Sequence, residues 1–134
     1  MNIFMTGKNI KDDCISNVVR LGDFVFVSGQ YGQGNTFKQE VKDAFEKIDE
    51  QLAQFELDYR HIVKMNIYLT NLDDKNQVLE IYQSYFERPF PACSIVEVQR
   101  LEMDAKLMID AFAINTLPYE KKMKDSTCSG CSCC

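Results

Sequence analysis

No stretch of the chain approaches the roughly 20 consecutive apolar residues that cross a bilayer. The opening MNIFMTGKNI has neither the basic start nor the apolar middle of a secretory signal. The expectation is a cytoplasmic protein with no membrane segment. Positive charge is also in short supply: 15 Lys and Arg against 20 Asp and Glu leave a formal net charge of −5. That balance opposes the phosphate attraction on which most nucleic-acid binders depend, so nucleic acid is disfavoured as a partner. Histidine is nearly absent. His61 is the only one, so a Ser-His-Asp triad would have to be built on it, and neither HExxH nor paired histidines are there to hold a catalytic zinc. Standing beside Arg60 just ahead of a strand, His61 reads as a solvated surface residue. No metal site is expected in the body of the chain.

Cysteine is scarce where a disulfide scaffold would need it. Cys14 and Cys93 are alone in the body, while Cys128, Cys131, Cys133 and Cys134 crowd into the last seven residues. Such a distribution does not staple a fold, and a reducing compartment follows. The chain must therefore stabilise itself by burial. With 134 residues, 46% of them hydrophobic and 26% charged, it is long enough for one domain with a real core. The predicted organisation is a domain over 1–117 and a flexible Cys-rich tail over 118–134.

Period-two alternation places strands near 16–20 and 24–28, with a further short strand within 1–6. Thr36 and Gln39 have the capping-box spacing of a helix start. From there Phe37, Val41, Ala44, Phe45, Ile48, Leu52 and Phe55 form one apolar stripe at three- and four-residue intervals. A strand follows over 62–70. Asn71 or Asp73 can cap a second helix with the stripe Val78, Ile81, Tyr82, Tyr85 and Phe86, ended by Pro89 and Pro91. Strands at 93–99 and 106–115 close the pattern, with 102–104 between them.

The order β-β-α-β-α-β-β, with two one-sided helices, predicts an α/β (α+β) domain: one mixed sheet with both helices packed on one face. Apolar side chains point from both faces of the last strands. The face without helices would then carry an exposed apolar patch, which marks an oligomer interface.

Four stretches, in order and at matching intervals, carry a resemblance. They are LGDFVFVSGQ over 21–30, IVKMNIYLTNL over 62–72, PFPACSIVEV over 89–98 and KLMIDAFA over 106–113. Together they resemble the YjgF/RidA family, also called Rid or L-PSP. The resemblance implies a chorismate-mutase-like fold assembled as a homotrimer, with a small-molecule cleft at each subunit boundary. It implies hydrolysis of reactive enamines and imines to 2-oxo acids and ammonia, with no cofactor.

The same resemblance implies where the site lies. Gly29 matches the glycine whose backbone N–H meets the ligand, with Ser28 and Gln30 flanking it, although a strand-ending turn explains all three equally well. Glycines 29, 32 and 34 complete no phosphate-binding fingerprint. Asp110 is aligned with the family's water-activating carboxylate; by strand parity it shares a face with Met108, Phe112 and Ile114, where lost solvation suits a proton shuttle. A structural carboxylate paired with Lys106 or a neighbouring subunit's lysine is the alternative.

Three positions depart from the family pattern: Cys93 in place of the arginine that grips the substrate carboxylate, Ile15 in place of a tyrosine and Leu79 in place of an asparagine. A thiol cannot form the two-pronged ion pair. Cys93 is then either a small buried hydrophobe or a ligand-contacting, reactive thiolate. The cleft becomes more apolar, and its ligand less charged than an amino-acid imine.

Three functions are open on this reading. The first is a cofactor-free hydrolase or deaminase of imine-like metabolites with altered specificity, using Asp110 and Gly29. The second is a non-catalytic binding or regulatory trimer. The third is thiol or metal chemistry through Cys93 and the tail, where Cys128 and Cys131 form C-x-x-C and two more thiols follow. A tail without any site explains the same residues.

Overall fold

The computed structural model describes residues 4–7, 10–12 and 14–120. Eight strands and two α-helices are present among them: β1 (Phe4–Thr6), β2 (Ile10–Asp12), β3 (Ile15–Ser16), β4 (Val18–Leu21), β5 (Phe24–Tyr31), α1 (Phe37–Ala53), β6 (Ile62–Leu69), α2 (Lys75–Tyr85), β7 (Ala92–Glu97) and β8 (Leu107–Ile114). Six strands form one mixed sheet in the order β1-β4-β5-β8-β6-β7, and β2 pairs with β3 in a separate ribbon. The β6–β7 pair is parallel and the others are antiparallel.

The apolar stripes read from the sequence meet in one core. Val41, Ala44, Phe45, Ile48 and Leu52 of α1 and Val78, Ile81 and Tyr82 of α2 pack with Val25 and Val27, Met65, Ile67 and Leu69, and Leu107, Ile109, Ala111 and Ala113 from the sheet. Full burial of a Leu or Ile side chain stabilises by about 1.5–3 kcal/mol, as an upper estimate. Phe45 also lies 5.0 Å from Tyr85 in a stacked pair and 6.3 Å from Phe86 edge-on, which joins the two helices. Every second strand residue points the other way. Phe24, Phe26, Val96 and Phe112 are exposed on the opposite face, where the Phe26 and Phe112 rings meet edge-to-face at 5.1 Å. No helix among the described residues is long and apolar enough to cross a membrane.

Local signals were read with differences that have physical causes. The Thr36 hydroxyl accepts the Gln39 N–H at 3.2 Å, but the Gln39 side chain returns to the N–H of Asn35, one residue earlier than a capping box requires. Asn71 caps a short 3₁₀ turn over Leu72–Asp74, and α2 begins only after it. The single strand expected near 16–20 is two. The chain changes partners at Asn17, whose carbonyl accepts the Ser28 N–H at 2.8 Å, so residues 15–16 pair with β2 and residues 18–21 with β5. Strand β5 does not end at Ser28. A register shift between Val27 and Gln30 absorbs the extra length and lets pairing with β8 continue to Tyr31.

His61 is the clearest correction. It is 7% exposed rather than solvated. Its Nδ1 accepts the Asp58 N–H at 3.2 Å, and Nε2 stands 3.6 Å from the Glu120 carboxylate.

The turn expected after Ser28 begins instead at Gly32, which is pressed on the backbone of α1. A Cβ there would collide with the Glu40 carbonyl and approach the Ala44 N–H, both main-chain groups that cannot swing aside. Gly22 differs: it has φ +61° with nothing within 4 Å of a Cβ. Urea denaturation should find Gly32→Ala destabilised by about 1–3 kcal/mol through overpacking, and Gly22→Ala by about 1 kcal/mol through backbone strain alone. A neutral Gly32→Ala would show that the loop does not depend on this contact.

Candidate functional site

Strand β8 is paired on both sides, and this places Asp110 and Met108 together on the face without helices. Asp110 lies opposite Asn66 in the ladder. Its Oδ1 accepts from Asn66 Nδ2 at 2.8 Å and its Oδ2 from the Tyr68 hydroxyl at 3.0 Å. Burial first, then the bond to Asp110 and that carboxylate's charge, push the Tyr68 hydroxyl above its ordinary range, so it stays a proton donor. Among the described residues no cation pairs with Asp110. Two neutral donors therefore orient a carboxylate whose remaining lone pairs are open.

Two residues back on the same face, Met108 lies against Gly29. A Cβ on Gly29 would collide with the Met108 sulfur, so a side chain there would displace Met108. Gly29 also lines a cavity of about 730 Å³ with Ile15, Asn17, Gln30 and the 31–34 segment, the outer flank of α1, and residues 102–105. Ile15 and Gly29 are thus brought together. Ser28 serves the backbone: its hydroxyl donates to the Ser16 carbonyl at 2.7 Å and locks β3 beside β5.

Cys93 and Leu79 lie elsewhere. Cys93 is in register with Met65, so its side chain turns to the helix-covered face and packs, half-buried, against the core. Leu79 is half-buried on α2. From β5 to β7 the sheet crosses β8 and β6, three strand spacings or about 14 Å. One chain therefore does not gather the six predicted positions: Ser28 and Gly29 lie on β5 with Ile15 on β3, Cys93 lies on the edge strand β7 and Leu79 on α2, and Asp110 lies between on β8.

The Cys93 thiol is decided by competition. Burial pushes its pKa up, and the nearby charges of Lys64 and Lys75 pull it down by less. Positive neighbours do exist, but desolvation outweighs them and favours the neutral thiol at pH 7. Tyr82, against the same region, is pushed up to about 12 by burial and then by Cys93. Its hydroxyl donates to the Pro91 carbonyl at 3.2 Å, fixing the chain ahead of β7.

Asn66 and Tyr68 were not anticipated. Their alternation within NIY was visible, but their meeting with Asp110 depends on the β6–β8 register across 44 and 42 residues. Of the predicted tail, residues 118–120 are described, and Tyr119 donates to Asp23 at 3.1 Å. The four tail cysteines lie outside the described residues.

A mixed sheet backed by two helices on one face defines a small α+β domain of chorismate-mutase-like form. The chain belongs to the family described as Endoribonuclease L-PSP, the YjgF/RidA family, whose model matches residues 14–115. A RutC family protein of Buchnera aphidicola is 34% identical over 105 residues, 73% of this chain and 83% of that one. The human 2-iminobutanoate/2-iminopropanoate deaminase is 31% identical over 107 residues, 74% of this chain and 78% of the other. Among solved structures, Escherichia coli TdcF with bound serine superposes with a TM-score of 0.75 at 26% identity, covering 85% of this chain and 98% of that one.

At pH 7, alkylation followed by peptide mass mapping should label exposed Cys14 well before Cys93. Because a raised pKa keeps the protonated form, Cys93 labelling should climb only as pH passes above the ordinary thiol range. Cys93 reacting first at pH 7 would identify it as an activated thiolate.

Proposed function

We propose that this chain is a cofactor-free cytoplasmic hydrolase of reactive imines and enamines, working as a homotrimer in which neighbouring copies complete each ligand cleft. The observation that carries the reading is Asp110, held by Asn66 and Tyr68 without a cation on the face that the helices leave open. The exposure of Phe24, Phe26, Phe112 and Val96 on the face without helices, which an assembly would cover, supports this. So does the division of Ile15 and Gly29 from Leu79 and Cys93, which a neighbouring copy can bridge.

The chemistry follows from the carboxylate. Water adds to the imine carbon while Asp110 takes its proton, and the proton returns to nitrogen as the carbinolamine collapses: R₂C=NH + H₂O gives R₂C=O + NH₃. Tyr68 and Asn66 keep the carboxylate aimed, and Gly29 lets main chain approach the ligand. The human relative is named as an iminobutanoate and iminopropanoate deaminase. Cys93 removes the carboxylate grip such substrates would use, so the ligand here is less charged. TdcF was solved with serine. With a net charge of −5, ribonuclease action has no electrostatic support.

Met108, rather than a carboxylate, is what touches Gly29, and this favours a second reading as a trimer that binds a small metabolite without turning it over. Thiol chemistry at Cys93 is disfavoured by its raised pKa.

Stopped-flow absorbance with an enamine generated in situ separates the first two readings. The expected result is faster loss of the enamine and matching ammonia release, slowed about 10²-fold or more in Asp110→Asn and less in Tyr68→Phe. Rates equal to buffer, or unchanged in Asp110→Asn, would overturn the hydrolase and leave the binding trimer. Analytical ultracentrifugation should give three times the chain mass.

A further inference from the structure

Asp110 is not the only charged group on the face without helices. Lys64 shares that face with Asn66 and Tyr68, because the residues between them on β6, Met65 and Ile67, enter the core. Asn66 lies opposite Asp110 on one side and Ser94 on the other, while Lys64 lies one pair away, opposite Phe112 and Ala92. Lys64 and Asp110 are therefore diagonal neighbours, with Cα atoms about 7–8 Å apart and within reach of a lysine stem. That placement favours an ion pair, and none forms.

The two charges are instead held apart by neutral partners. The Lys64 ammonium donates to the Ser94 hydroxyl at 2.7 Å, while the Asn66 amide and the Tyr68 hydroxyl donate to Asp110. Ser94 and Asp110 are two strand spacings apart, about 10 Å, with Asn66 between them. Ser94 thus draws the ammonium to the side of Asn66 away from the carboxylate. Ser94 takes one of its three donor hydrogens, and among the described residues no carboxylate pairs with Lys64. Phe112 and Val96, both exposed, stand on either side of this row. A proton donor and a proton acceptor therefore face one gap from opposite ends, flanked by apolar side chains. Where neighbouring copies cover this face, exclusion of water strengthens the action of a fixed ammonium on charge developing in the gap.

We infer that Lys64 is the general acid of this site, protonating the nitrogen while Asp110 acts as the base. The inference rests on the hydrolase reading. As the water oxygen bonds to the imine carbon, the C=N π pair moves to nitrogen. Asp110 takes the proton that the water sheds, and Lys64 protonates the nitrogen. The carbinolamine R₂C(OH)NH₂ is then flanked by a protonated Asp110 and a neutral Lys64, and a solvent water carries the proton from the first back to the second. The second half repeats the roles: Asp110 takes the hydroxyl proton, Lys64 protonates nitrogen, and the C–N bond breaks as C=O forms. The same proton return resets both groups, so the sum is R₂C=NH + H₂O giving R₂C=O + NH₃. A ligand without a carboxylate gives the ammonium no anion to hold, which leaves the proton as its use.

The test is stopped-flow turnover by the full-length protein of butanimine, generated in situ by oxidation of butylamine. Lys64→Met and Lys64→Arg, their fold and assembly checked by circular dichroism and sedimentation, are both expected to lower kcat about 10²-fold with KM changed less than about threefold. Arginine keeps the positive charge but does not give up its proton, so it separates an acid from an anion subsite. A raised KM at unchanged kcat, activity recovered in Lys64→Arg, or unchanged kinetics in Lys64→Met would overturn the inference. If neither variant assembles, Ser94→Ala, at an exposed position, carries the test: a fall in kcat supports Lys64, and an unchanged kcat counts against it. Turnover that is slowed in Asp110→Asn but not in Lys64→Met removes Lys64 and leaves the hydrolase. Wild-type rates equal to buffer remove both.

Discussion

The two-sided pairing of β8 is the constraint on which the rest of the structure depends. Entering last, this strand inserts between β5 and β6 and joins hydrogen-bond ladders with both. Because strand side chains alternate, one face of β8 supplies Leu107, Ile109, Ala111 and Ala113 to the core, while the other presents Met108, Asp110 and Phe112. A slip of one residue would exchange the two sets and bury the carboxylate. The register that builds the core therefore also places Met108 against Gly29, Asp110 between Asn66 and Tyr68, and Phe112 against Phe26.

The electrostatics of the candidate site follow from the same alternation. Asp110, on the face without helices, is held by two neutral donors. Cys93 falls on the opposite parity, where packing against the core removes solvent faster than Lys64 and Lys75 restore favourable charge. The substitution that looked in sequence like the replacement of one site group by another is, in the folded chain, a small side chain fitted into the helix-covered face. The acids that line the cavity come from α1 and the 102–105 loop, neither of which belongs to the four stretches that carry the family resemblance.

Legibility varied with the range of the interaction involved. The stripe on α1 and the alternation of β6 and β8 were readable because each is a repeat within one short segment. Asn17, where the chain passes from one ribbon to the main sheet, carries no local mark, since its carbonyl is claimed by Ser28 eleven residues on. His61 looked solvated from its polar neighbours, yet Asp58 and Glu120, three and 59 positions away, close around it. Gly29 was singled out for close approach of its backbone to a ligand, whereas the residue packed against it within the chain, Met108, could be named only once β5 and β8 were aligned.

The sequence by itself determined the element order, the single core, both helix faces and family membership, because side-chain periodicity and local capping are properties of neighbouring residues. Only the tertiary structure decided that Asp110 is held by Asn66 and Tyr68, that Cys93 and Gly29 stand three strands apart in the sheet, and that an acidic cavity opens beside Gly29. These depend on register between strands and on which loops meet over them. Such pairings are fixed by the packing of the whole chain, and residues far apart in sequence carry no local trace of them.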